Sequence, residues 1–311
     1  MFNKPFRCEQ SITVNKHISQ VSPAVGDFNT WRMWSPWVCM ETDCLFKVEG
    51  NPQELGHKQE WYGDRIGSGE MVMTHSSAEV YKYDLQLITP WRSNNTVEFH
   101  LEGRGGNTKV TWMMNGEMPL YLFPSKQAMK CAIESDYGRG LKMLKEYLET
   151  GSVPSETEIS GEQSKQGFHY LGLRKSTSLD NMSTEMSRAF GKVLDWVNSS
   201  KIERPKGYVT FYHKYDIVKK RCDFTVAPVY TEKPANTKRL IVGEIPDHRV
   251  VQVVHTGLYD YLGNAWATVM AEQQCEKLKL NKKIPHYERY LNNPEDKEPE
   301  EIKTEVNIPV R

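Results

Sequence analysis

The sequence is short of the features that mark the more specialised protein classes. It has no excess of charge: 40 Lys and Arg stand against 40 Asp and Glu, and both halves stay close to balance. The clustered positive charge of a nucleic-acid binder is therefore missing, as is a helix-turn-helix pattern, so no direct nucleic-acid binding is expected. Long apolar runs are also missing. None approaches the roughly 20 residues of a membrane span, and the start, Met1-Phe2-Asn3-Lys4-Pro5, carries no apolar leader. A cytoplasmic protein without a membrane partner is expected. Cysteine is sparse: Cys8, Cys39, Cys44, Cys131, Cys222 and Cys275 are scattered, with no C-x-x-C and no Cys/His ligand spacing. That argues against a zinc site and against a disulfide framework. Cys39 and Cys44 are the one pair spaced to bridge across a turn. There is no G-x-S-x-G, and Gly103–Gly106 reads as a hairpin tip rather than a phosphate loop, because no strand-turn-helix context follows. No metal and no cofactor are expected.

What is present is aromatic. Rings make up 11% of the chain, with 8 Trp and 15 Tyr, a composition that builds cores and lines apolar pockets. At 311 residues the chain is long enough for two domains. Residues 6–14, 45–49, 57–63, 69–75, 79–89, 95–102 and 107–115 read as strands. The clearest is 79–89, where Tyr81, Tyr83, Leu85 and Leu87 alternate with Val80, Lys82, Asp84 and Gln86. Ile18–Trp37 is ring-rich, and Pro36 ends any helix there. After Ser125 the period changes: Met129, Ile133, Tyr137, Leu141, Leu144 and Leu148 form a helical stripe that Gly151 stops. Residues 1–150 are thus expected to be an antiparallel sheet curled on one long C-terminal helix, with room for an apolar cavity between them. Trp34, Trp37, Trp61, Trp91 and Trp112 are candidates to line it. Residues 151–167 (GSVPSETEISGEQSKQG) hold almost nothing apolar and read as a linker.

Residues 168–311 contain an internal repeat. Ala189-Phe190-x-x-Val193-Leu194 aligns with Ala265-Trp266-x-x-Val269-Met270, and Thr210-Phe211-Tyr212 aligns with Glu288-Arg289-Tyr290. Each half reads strand, helix, strand, strand: 168–175, a helix through Met182–Val197, 206–213 and 221–230, then 249–256, a helix around 258–278, 284–291 and 302–308. Two βαββ units in one sheet make a pseudo-twofold groove under two helices. In Ile284–Leu291 the period-two rule puts His286, Glu288 and Tyr290 on one face. Glu288 and Thr210 are equivalent positions of the repeat. A strand scaffold needs no carboxylate, so Glu288 is the lead functional residue. In an apolar site it holds a cation, helped by ring faces, or moves a proton with a raised pKa. Tyr212 and Tyr290 are placed to hydrogen-bond Glu288 or a ligand. His255 and His286 read as structural or surface residues.

Two resemblances sharpen this. Phe28–Trp37, Trp61-Tyr62-Gly63, Gly67-Ser68-Gly69, Thr108–Gly116, Met118-Pro119 and Gly140-Leu141-x-x-Leu144-Lys145 resemble the START-related (SRPBCC, helix-grip) superfamily in its polyketide cyclase/dehydrase-like branch. Val253–Tyr259, Ala265-Trp266, Tyr287–Pro294 and Thr304–Val310 resemble the GyrI-like family, the effector-binding domain of multidrug-sensing activators. Thr256-Gly257-Leu258 stands where a Gly-Pro is common in that family. The expected fold class is α+β: a helix-grip domain over 1–150, a linker over 151–167 and a duplicated βαββ domain over 168–311. The second resemblance implies an aromatic pocket for a hydrophobic or cationic small molecule, centred on Glu288. Tyr290, Tyr212, Thr210, Trp266, Phe190, Tyr208 and Tyr259 surround it in this reading. It also implies an alternative, hydrolysis of strained-ring compounds with Glu288, Tyr212 and Tyr290 as catalytic residues. A protein partner that reads ligand occupancy is a third possibility.

Overall fold

Alternation decides the N-terminal half. Tyr81, Tyr83 and Leu85 are buried in the computed structural model of the protein, and Asp84 and Gln86 on the alternate positions are exposed. The structure describes residues 3–119, 125–200, 202–235 and 240–311. The chain divides into two compact units, Met1–Val153 and Pro154–Arg311.

The first unit is a seven-stranded antiparallel sheet. Its strands are β1 (Asn3–Val14), β2 (Leu45–Glu49), β3 (Lys58–Tyr62), β4 (Ser68–Ser76), β5 (Val80–Thr89), β6 (Ser93–Arg104) and β7 (Asn107–Pro119). They lie in the order β1-β7-β6-β5-β4-β3-β2, so apart from β1 each strand neighbours the next. Helices α1 (Ile18–Gly26) and α2 (Phe28–Trp31) follow β1, and the long α3 (Lys126–Thr150) closes the unit. Tyr137, Leu141 and Leu144 of the helical stripe are buried in α3, and Met143 beside them is buried too. The space between helix and sheet holds packed rings. Trp112 stacks on Tyr137 at 4.1 Å and 10°, Phe99 lies 4.8 Å from Trp112, and Trp31 and Trp34 close the cluster at 4.9 Å.

The second unit is an eight-stranded antiparallel sheet: β8 (Ser155–Lys165), β9 (Phe168–Ser178), β10 (Tyr208–Asp216), β11 (Arg221–Tyr230), β12 (Ile241–Ile245), β13 (His248–Gly257), β14 (His286–Tyr290) and β15 (Lys303–Val310). Its order is β12-β9-β11-β10-β14-β15-β13-β8. Helix α4 (Met182–Ser199) follows β9, and α5 (Gly263–Cys275) follows β13. The order reads as one half mirrored onto the other. The repeat is therefore a structural twofold, and it extends beyond the two βαββ units to the edge strands β8 and β12. The axis passes between β10 and β14, where Thr210 pairs directly with Glu288.

Two expectations need correction. Residues 155–165, read as linker, are β8, paired with β13 over its whole length. An edge strand needs few apolar residues, and of this one Ile159 packs against the α5 cluster. The helix read around 258–278 starts with a 3-10 turn, Tyr259–Tyr261, and α5 itself ends at Cys275. The six cysteines are free, so Cys39 and Cys44 form no bridge.

One face of the second sheet packs Phe168, Val209, Phe211, Val229, Val250 and Tyr287 together. The other face is covered by helices. Beneath α4 lie Cys222, Phe224 and Val226, and beneath α5 lie Val251, Val253, Val306 and Ile308. Period two then puts Thr210, Tyr212, Glu288 and Tyr290 on the helix-covered face, along the seam between the two helical clusters.

Candidate functional site

Glu288 is 2% exposed, in the middle of a central strand. Three donors from three elements converge on it. The Tyr212 hydroxyl of β10 donates to Oε1 at 2.9 Å, and the Trp266 indole of α5 donates to the same oxygen at 2.6 Å. The Tyr290 hydroxyl, two residues on along β14, donates to Oε2 at 2.7 Å. Thr210 Oγ1 lies 2.9 Å from the Tyr290 hydroxyl, within hydrogen-bond reach in either direction.

Rings enclose this core. Tyr212 meets Trp266 edge to face at 5.2 Å. Phe190 of α4 meets Tyr290 at 5.3 Å and Tyr208 at 6.4 Å. Tyr259, from the 3-10 turn, meets Tyr290 at 5.6 Å from the other side. All eight residues singled out from the sequence thus belong to one connected cluster. Phe190 and Trp266 come from equivalent positions of α4 and α5, as the repeat requires. His286 belongs with them as well. It lies 6.5 Å from Trp266 at an interplanar angle of 27°. The period-two rule places it on the face of Glu288 and Tyr290, so it is a neighbour of the site rather than a surface residue.

Among the described residues, the acid has no cation beside it. Burial pushes the Glu288 carboxyl above its ordinary value, and the bonds from Trp266, Tyr290 and Tyr212 pull it partly back. Burial, and then the neighbouring Glu288, hold the Tyr212 and Tyr290 hydroxyls well above the ordinary phenol range. Tyr259 is pushed up to about 12 for the same two reasons. Such an arrangement can neutralise a cation or bind and release a proton.

Other expected features are placed differently. In the first unit Trp34 and Trp112 are wholly buried in ring contacts, so they are core. Trp91 is 42% exposed. Two surface hollows of about 360 Å³ each, one beside Lys165 and His248, the other beside Lys214, Arg221 and Cys222, do not have Glu288 in their lining. Among the described residues no group of three or more His, Cys, Asp or Glu is arranged to hold a metal ion. Among them, too, no helix is long and apolar enough to cross a membrane.

Fold and site together define a two-domain α+β protein with a duplicated ligand-binding-type sheet. Comparison with known families gives the same division. Residues 5–149 match the family described as polyketide cyclase / dehydrase and lipid transport. Residues 162–311 match the GyrI-like small molecule binding domain. The chain is a polyketide-cyclase-like domain followed by a GyrI-like domain. No curated protein matches it in sequence. Among solved structures, the EcmrR C-terminal domain is 20% identical, covering 50% of this chain and 98% of that one, with a TM-score of 0.40. EcmrR in its DNA complex is 16% identical, covering 62% and 72%, with a TM-score of 0.42. The Aha1 dimer from Colwellia psychrerythraea is 15% identical, covering 47% and 97%, with a TM-score of 0.35.

Proposed function

We propose that the C-terminal domain binds a lipophilic, aromatic cation on the helix-covered face of its sheet. Glu288 supplies the countercharge, and Phe190, Tyr208, Tyr212, Tyr259, Trp266 and Tyr290 supply ring surface. The observation that carries this reading is a buried carboxylate that, among the described residues, is bonded to neutral donors alone and is walled by rings. A positive ligand relieves the cost of that charge and gains cation–π contact with the same walls. Thr210 tunes the site through Tyr290. On this reading the ligand enters by parting the Phe190 and Tyr259 rings from Tyr290, which both of them meet. The cation is assigned to the second domain because that is where Glu288 and its ring walls lie.

The test is a titration of the full chain with a panel of lipophilic cationic dyes, comparing wild type with Glu288→Gln. The substitution is expected to weaken binding more than tenfold, about 1.4 kcal/mol or more. Equal affinities would falsify the ionic role.

A second reading is hydrolysis of strained-ring compounds. It is favoured by the same contact of Glu288 with two phenolic hydroxyls, Tyr212 and Tyr290. Glu288 would then orient or deprotonate water while a tyrosine serves as acid. Product formation that is abolished by Glu288→Gln distinguishes it from binding alone.

A further inference from the structure

Among the described residues, no side chain bonded to Glu288 is positive. Tyr212 reaches it from β10, Tyr290 from its own strand β14, and Trp266 from α5. Among the described residues, Tyr259 of the 3-10 turn and Cys222 of β11 also feel its charge. His286 stands two residues before it on β14, and burial pushes that imidazole downward, towards its neutral form. From α4 the Phe190 ring meets Tyr290, and the apolar Met182, Met186, Ala189, Val193 and Val197 pack in the cluster that holds Tyr208 and Tyr212, so among the described residues α4 brings no charge to these contacts. Phenols and a thiol raised by burial are neutral near pH 7, so an ionised Glu288 would be an isolated charge. Such a charge costs several kcal/mol.

The hydroxyl chain offers a way out. Either member of the Thr210–Tyr290 pair can donate to the other. With Glu288 ionised, Thr210 donates to Tyr290 and Tyr290 donates to Oε2. With Glu288 protonated on Oε2, that proton is donated to the Tyr290 oxygen, and the Tyr290 hydrogen turns to Thr210. Tyr212 and Trp266 donate to Oε1 in both cases. Two proton arrangements therefore fit one set of heavy atoms, because a hydroxyl is both donor and acceptor.

We propose that the cation binds by exchange, displacing one proton from Glu288 and replacing it as the countercharge. This rests on the cation-binding reading above. The O–H bond of the carboxyl breaks, its electron pair stays on the carboxylate, and the proton leaves to solvent. One positive charge enters and one departs, so the buried site is neutral both empty and filled. Affinity then falls about tenfold for each pH unit below the midpoint of the acid and levels off above it.

The experiment uses the full chain and tetraphenylphosphonium, which carries a permanent charge and no titratable group. Calorimetric titration in buffers of different ionisation enthalpy counts protons released, from about pH 5 to about pH 8. The expected result is close to one proton per cation at the acid end, declining as affinity rises. Binding that depends on Glu288 yet releases no proton and keeps one affinity across the range would overturn the exchange and leave cation binding intact. If neither this cation nor the dye panel binds saturably, both fall. A measurement without ligand guards against that coupling: infrared titration of the free protein is expected to show a protonated buried carboxyl that Glu288→Gln removes. A free protein whose spectrum lacks that band also overturns the exchange.

Discussion

At the scale of the residue, Trp266 separates two roles that a ring can have. Its indole N–H is a donor to Glu288, and its faces meet Tyr212 and His286. Trp266→Phe keeps an aromatic surface and removes the donor. A hydrogen bond to a charged group contributes about 1.5–3 kcal/mol. The variant is expected to bind a permanent cation at least tenfold more weakly at neutral pH, as read by dye fluorescence. Affinity equal to wild type would mean that the N–H does not support the ionised form. His255 gives a second prediction, for stability. It is fully buried, its Nε2 lies 3.0 Å from Ser155 Oγ, and its Nδ1 has no partner. Burial pushes its pKa down to about 4. The unfolded chain therefore takes up the proton first as pH falls. Stability present above the ordinary histidine value of about 6.5 is lost down to about pH 4 and is level below that, about 3 kcal/mol over the full window. Glu288 works the other way, because its folded-state value is raised: protonation favours the folded state below it. Urea midpoints measured across this range should fall towards acid in wild type and fall less in His255→Leu. Parallel curves for the two proteins would remove His255 as the cause.

At the scale of the element, the strand that escaped the sequence explains what sequence patterns can carry. Ser155–Lys165 reads as linker because an edge strand buries little and needs no apolar alternation. Its pairing with β13 is a long-range fact with no local signature. β12 escaped for a related reason: it is five residues long and lies against β9 rather than a sequence neighbour. By contrast β14 was legible, since its alternation and its match to Thr210-Phe211-Tyr212 both lie in the chain. The convergence on Glu288 was only half legible. The repeat aligned Trp266 with Phe190, but only the tertiary structure brings the indole N–H to Oε1. The end of β13 offers a test of the β8 contact. Gly257 sits at φ +136°, and a Cβ there would run into the Pro154 carbonyl just before β8. Gly257→Ala is expected to destabilise the domain by about 1–3 kcal/mol, seen as a lower thermal midpoint. An unchanged midpoint would mean that the start of β8 is not held there.

At the scale of the whole molecule, two units with separate interiors make a prediction about fragments. Residues 154–311 contain all eight strands of their sheet and both covering helices. Expressed alone they should melt cooperatively. A fragment beginning at 168 omits β8, uncovers the edge of β13 and takes Ser155 from His255. It is expected to melt lower or aggregate, and equal melting of the two fragments would return 155–165 to the status of a tether. The twofold between β10 and β14 has a consequence for valence. Because Thr210 faces Glu288 across that axis, a carboxylate at both positions would bring two acids together over one strand pair. Like charges that close share a proton or recruit a doubly charged guest. On the proposed cation-binding reading, the departure from symmetry suits the site to a single positive charge, and Thr210→Glu is the one-residue route to a receptor for dications.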